Sequence, residues 1–153
     1  MFRQLMRTSN DGVFALLRLV LGIVFFVHGA QLGLAWFGGY GFTATMKAFT
    51  AMGIPAPFAA LAILAELLGG AGLIIGFLTR IAALGILITM LVAVFKVHVP
   101  VGFFMNWYGT QKGEGYEYHL LAMAIALAIV IRGAGSASVD YALSGNRYYR
   151  TGL

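Results

Sequence analysis

The chain contains no cysteine. That excludes a disulfide framework, a thiolate nucleophile, a cysteine-ligated iron–sulfur cluster and any dithiol relay within these residues. Charge is also scarce: Asp, Glu, Lys and Arg make up 10% of the 153 residues, against roughly 25% in soluble domains. With 61% hydrophobic residues and a mean hydropathy of +0.90, the composition is that of an integral membrane protein of one domain. The net charge of +5 is dispersed along the chain, so there is no clustered basic surface for a nucleic acid. An alternating strand pattern is missing too.

What the chain does have is long apolar runs. A transmembrane helix needs about 20 mostly apolar residues. Four segments are expected to span: 13–35, 57–78, 81–99 and 117–132. Their hydrophobicity on all sides suits lipid or a bundle interior. Thr79 and Arg80 leave only a short connection, so the second and third spans should be antiparallel neighbours. Between the first two spans, Phe42, Met46 and Phe49 recur at helical spacing, which predicts a short interfacial helix. Pro57 opens the second span at a position where proline is tolerated. The basic start with Arg3 and Arg7 suits a signal peptide, but the first apolar run is long and lacks a convincing small-residue cleavage site, so it reads as an uncleaved span.

The distribution of Lys and Arg predicts orientation. Arg3, Arg7, Arg18, Arg80, Arg132, Arg147 and Arg150 fall on one side if both termini share it, and Lys47, Lys96 and Lys112 on the other. Both termini are therefore expected in the cytoplasm, with 133–153 as a cytoplasmic tail. Trp36, Tyr40, Trp107, Tyr108, Tyr116 and Tyr118 would form an outer aromatic belt. Gly22, Gly29 and Gly33, and likewise Gly69, Gly72 and Gly76, provide small-residue faces for close helix packing.

His28, Glu66, His98 and Glu117 sit in or at the edge of these runs, with Arg18, Lys96 and His119 close by. An ionisable group in hydrocarbon costs at least ~2.5 kcal/mol, so each needs a partner or a function. From the helical rise, His28 lies roughly 22 Å above the start of span one and Glu66 roughly 13 Å below the start of span two. They form an expected deep tier. Lys96, His98, Glu117 and His119 form a shallow outer tier, with Gln31 able to bridge the two. Simpler readings stand beside this one. Arg18 can snorkel to inner headgroups or pair with Asp140, and Lys96 can snorkel outward. Glu117 can be a carboxylate favoured by a helix N-terminus, and His98 and His119 can be interfacial histidines. Glu66 is too deep to snorkel. It is either neutral and hydrogen-bonded, or paired with a cation such as His28.

Several short motifs recur in a telling order. They are Leu17-Arg18-Leu19, His28-Gly29-Ala30-Gln31, Phe37-Gly38-Gly39, Gly53-Ile54-Pro55, Glu66 with Gly69-Gly70, Thr79-Arg80, Val97-His98, Gly102-Phe103-Phe104 and Gly113-Glu114-Gly115-Tyr116-Glu117-Tyr118. On these the chain, from residue 16 to 140, resembles the DoxX family of small four-span bacterial membrane proteins. Many members carry lysine directly after the glutamine, where this chain has Leu32; an anion contact made there would be missing. The resemblance implies an all-α four-helix bundle in the bacterial cell (inner) membrane. It also implies a role as membrane subunit of a thiosulfate:quinone oxidoreductase, or in a complex that handles thiol and oxidative stress.

In the quinone-linked reading, His28, Glu66, His98 and Glu117 are the catalytic candidates. Gln31, Lys96 and His119 are the candidates for holding the cofactor. A histidine can hydrogen-bond a quinone carbonyl, and a carboxyl can exchange protons with it. Electrons would come from a partner subunit or a small donor such as thiosulfate, drawn by Lys96 and the histidines. A haem or metal held by the histidines and carboxylates is less favoured, because no helix carries HxxxH or ExxH spacing. Two non-enzymatic readings remain open: a scaffold or assembly subunit, and a small proton or solute transporter that would need to oligomerise.

Overall fold

The computed structural model describes residues 5–144. The N-cap of the first helix is Asp11, whose carboxylate accepts from the amides of Val13 (2.9 Å) and Phe14 (3.3 Å). Helix α1 then runs over Gly12–Leu34 and ends at Ala35 in a left-handed conformation. A 3-10 turn, Trp36–Gly38, leads to α2, Gly41–Ala51. Helix α3, Ala56–Ile75, follows Pro55 and stops at Gly76, whose φ of 71° suits glycine. Helix α4, Thr79–Ala93, continues into a π-helical turn over Val94–His98, where the Val99 amide reaches back to the Val94 carbonyl (2.8 Å). After a long loop come α5, Glu117–Arg132, and the short α6, Val139–Leu143.

Among the described residues the fold is all-α with six helices and three candidate membrane spans, and it is not the four-helix, four-span bundle expected from the sequence. The spans are Gly12–Leu34, Ala56–Ile75 and Thr79–His98. Helix α5 has 16 residues, which rise ~24 Å against a hydrocarbon core of ~30 Å. It also begins on Glu117 and ends on Arg132. Thr79 and Arg80, expected in the connection, lie inside α4, and the turn is made by Gly76, Phe77 and Leu78. The expected inner placement of both termini, with Arg3, Arg147 and Arg150, falls on residues outside the described ones. So does the far end of the 133–153 tail. Residues 133–143 are packed into the molecule, with Gly133, Ala134, Gly135 and Asp140 buried.

Helices α1 and α3 touch backbone to backbone. A Cβ at Gly29 would stand 2.2 Å from the Leu67 nitrogen, and one at Gly70 2.3 Å from the Phe26 nitrogen. A Cβ at Gly22 would meet Ile74 at 2.8 Å, so numbers fall along α3 as they rise along α1 and the pair is antiparallel. Only glycine permits this approach. Helix α4 lies against the other side of α3, with Gly85 facing Ala65 and Gly69 facing Ala82. The core between α1, α3, α4 and α5 is built on Leu21, Phe25, Leu73, Ile86, Met90 and Ile129. Only 33%, 33% and 28% of the three span windows are buried, so the rest of each span faces outward with apolar side chains such as Leu16, Leu61 and Ile88. Such a surface belongs in lipid.

One end of the molecule is fastened by buried charges. Arg18, 3% exposed, donates to the carbonyls of Leu73 and Ile74 (2.7 Å for Ile74) at the C-terminus of α3. The same guanidinium reaches Ala134 (2.9 Å) and Ala137 (3.0 Å). Arg80 does the same for α5, donating to Val130, Ile131 (2.9 Å) and Arg7 (3.0 Å) carbonyls. Asp140 accepts from the Leu78 and Thr79 amides, both at 2.9 Å, and so caps α4 from a distant part of the chain. Arg18 is therefore an internal clamp and not an anchor reaching to headgroups.

Two stability results are expected. Gly29→Leu should destabilise by about 3 kcal/mol or more through overpacking, whereas Gly12→Ala, with open space around it, should be neutral. Arg18→Lys should cost about 3 kcal/mol, because an ammonium cannot reach four carbonyls arranged for a planar fork. Thermal unfolding in detergent or nanodiscs measures both.

Candidate functional site

Glu66 lies in the middle of α3 on a face otherwise made of small residues. Ala62, Ala65, Gly69 and Gly72 leave a trough there, and Gly85 on α4 deepens it. The result is an apolar groove of about 810 Å³ between α3 and α4. Phe49 and Met52 of α2 close one end, and Phe77 and Leu78 the other. Exposed Phe58, Leu61 and Ile88 on its rim open it toward lipid.

Glu66 lines this groove and is 7% exposed. Its carboxyl makes no hydrogen bond or ion pair among the described residues. Thr89, also on the wall, spends its hydroxyl on the Gly85 carbonyl (3.0 Å). Lys96 stands exposed at the α2 end, over Gly53.

The expected convergence of His28, Glu66, His98, Glu117 and His119 is not what the structure shows. His28 is exposed and does not meet Glu66. It neighbours Gly29, but one residue is 100° around the helix, and Gly29 occupies the α1–α3 contact. Gln31 donates to the Phe37 carbonyl (3.2 Å) and bridges no tiers. Glu117 is committed to the loop that precedes it, accepting from the Met105 amide (2.9 Å) and the Trp107 indole (3.2 Å). Among the described residues no three His, Asp or Glu side chains are grouped to hold a metal ion.

His98 and His119 do come together. Their ring centroids are 3.9 Å apart at a 40° tilt. The π-helical turn carries His98 to this position, and such turns often mark functional sites. His98 donates Nδ1–H to the Glu114 carbonyl (2.8 Å), which fixes its tautomer. His119, 6% exposed, faces the Gly115 carbonyl without completing an ordinary hydrogen bond at Nδ1. Burial first, and the His98 imidazole second, push His119 down to about 4.

Tyr118 packs edge-on against His119, centroids 5.4 Å apart. Its hydroxyl is buried without a hydrogen-bond partner and within electrostatic reach of Glu66. Trp36, Tyr40, Trp107 and Tyr108 are exposed as a belt requires. The sequence reading placed Tyr118 as an interface anchor, because an aromatic at a helix start suits that role.

The DoxX family profile matches residues 13–99, from α1 through the π-helical turn. The chain belongs to the DoxX family. The match carries His28, Glu66, Lys96 and His98 but stops before Tyr118 and His119. The Bacillus subtilis (strain 168) protein named "Putative oxidoreductase CatD" is 32% identical over 114 residues, covering 74% of this chain and 75% of its own. No solved structure matches the chain. This DoxX protein is a multi-pass protein of the bacterial cell (inner) membrane, with three apolar candidate spans. The relative's name fits a general oxidoreductase role.

A pH effect follows from His119. Its folded value lies below the ordinary 6.5, so between about 6.5 and about 4 the unfolded chain binds more protons than the folded one. Stability should be full above that window and fall as pH drops through it. The same titration of Tm on His119→Gln should show a shallower acid slope, and an identical slope would remove His119 as a cause.

Proposed function

We propose that this DoxX protein is the membrane subunit of a quinone-linked oxidoreductase, with the α3/α4 groove as its quinone site. One observation carries the reading: Glu66 is buried, has no partner among the described residues, and lines an apolar groove open to lipid. A group this costly to hold in hydrocarbon needs a use. The groove fits a flat apolar ring with a long hydrocarbon tail, because its walls are almost wholly aliphatic and aromatic carbon.

A bound quinone supplies two-electron, two-proton chemistry. Glu66 in its acid form donates a hydrogen bond to an oxygen in the groove and yields its proton there when that oxygen gains electrons. Apolar walls such as Leu61 and Ile88 exclude water and set the plane of the ring. Electrons come from a partner subunit or from a small outer-side reductant such as thiosulfate, since this chain holds no thiol pair.

Protein purified gently in native lipid should yield quinone on extraction. Glu66→Leu, which removes the donor, should weaken quinone binding by about tenfold, the worth of one hydrogen bond at the strong end. Ala62→Phe, which fills the groove beside Glu66, should abolish it. Full quinone affinity in both variants would sink the proposal, and co-purification of specific subunits without any quinone would favour a scaffold.

A further inference from the structure

Three buried polar groups stand unpaired in one region. Glu66 lines the groove, and its carboxyl has no hydrogen bond among the described residues. The Tyr118 hydroxyl and His119 Nδ1 are buried and lack a hydrogen-bond partner. Buried polar groups are nearly always satisfied, by protein or by ordered water. Orphans on adjacent residues, next to an orphan carboxyl, mark a place where water completes the bonds.

The arrangement also has a direction. Glu66 is at mid-span, within electrostatic reach of the Tyr118 hydroxyl. Tyr118 lies against His119, and His119 lies against His98. His98 is half-buried and bonded to the loop at Glu114, which is exposed. Each member is amphiprotic. A phenol has one donor and two acceptor sites, and a neutral imidazole has one N–H and one lone pair. With the Nδ1 of His98 pinned to a carbonyl, its Nε2 is the lone pair of a neutral ring.

We propose that Tyr118, His119 and His98, joined by buried water, form a proton path between Glu66 and the surface of the 99–116 loop. This rests on Glu66 as the proton-exchanging group of the proposed site, but it assigns a different thing: the route by which that carboxyl is reloaded. Protons are the only species moved. Glu66 gives up a proton into the groove, Tyr118 replaces it, and the vacancy passes through His119 and His98 to bulk water. Glu117 is excluded from the route because its carboxylate is held by Met105 and Trp107.

The test reads exchange and not turnover. The carbonyl stretch of the Glu66 acid is identified by infrared spectroscopy as the band lost in Glu66→Gln, using full-length protein in nanodiscs. On transfer to D2O, the wild-type band should shift promptly. Tyr118→Phe keeps the ring and removes only the hydroxyl, and should slow that shift about tenfold or more. His119→Phe should slow it similarly, while His28→Phe, on the exposed face of α1, should not. Quinone content is measured on the same samples. Slowed exchange without bound quinone would keep the path and remove the quinone reading. Bound quinone with unchanged exchange in both Tyr118→Phe and His119→Phe would do the reverse. If no band depends on Glu66, or if all variants exchange alike, the path is overturned.

Discussion

The guanidinium of Arg18 solves a problem that a helical membrane protein cannot avoid. The last carbonyls of a helix have no partner within it, and in a dry interior each unsatisfied one is costly. Arg18 closes the end of α3 from α1 and ties the 134–137 segment to the same point. Arg80 closes α5 in the same way, and Asp140 supplies the opposite charge at the start of α4. Three helix ends are thus satisfied by side chains from other elements. The negative end of each helix dipole meets a cation, and the positive end of α4 meets an anion.

This fastening fixes one end of the frame on which the rest of the molecule packs. With one end clamped, the glycine contact between α1 and α3 fixes the roll of α3 about its axis. That roll sets Gly29 against the backbone of Glu66 and Leu67, and Glu66 lines the trough beside α4.

Much of this was legible residue by residue. Glu66 stood out because no side chain that deep can reach water, and the glycines of α1 were read correctly as a packing face. Other readings failed for a common reason. Hydropathy and a rise of about 1.5 Å per residue locate a side chain along a helix axis but not around it. His28 was set beside Glu66, and the structure turns it outward on α1. Arg18 was read as an interfacial anchor or a partner of Asp140, and its four carbonyl acceptors were not foreseen because they come from residues 55 to 119 positions away. The fourth span was overcounted because an apolar stretch of 16 residues looks like a span until its length in ångströms is compared with a bilayer.

The sequence by itself determined that the chain is helical, apolar enough for a membrane, free of thiol chemistry, and burdened with a carboxyl it cannot expose. Those are consequences of composition and of spacing along the chain. Only the tertiary structure decided which polar groups meet. It paired His98 with His119, gave Glu117 to a loop, set Tyr118 near Glu66 and drew Asp140 back to cap α4. The physical reason is that partner choice depends on helix roll and on long-range contacts, and both are set by where glycine lets two backbones touch.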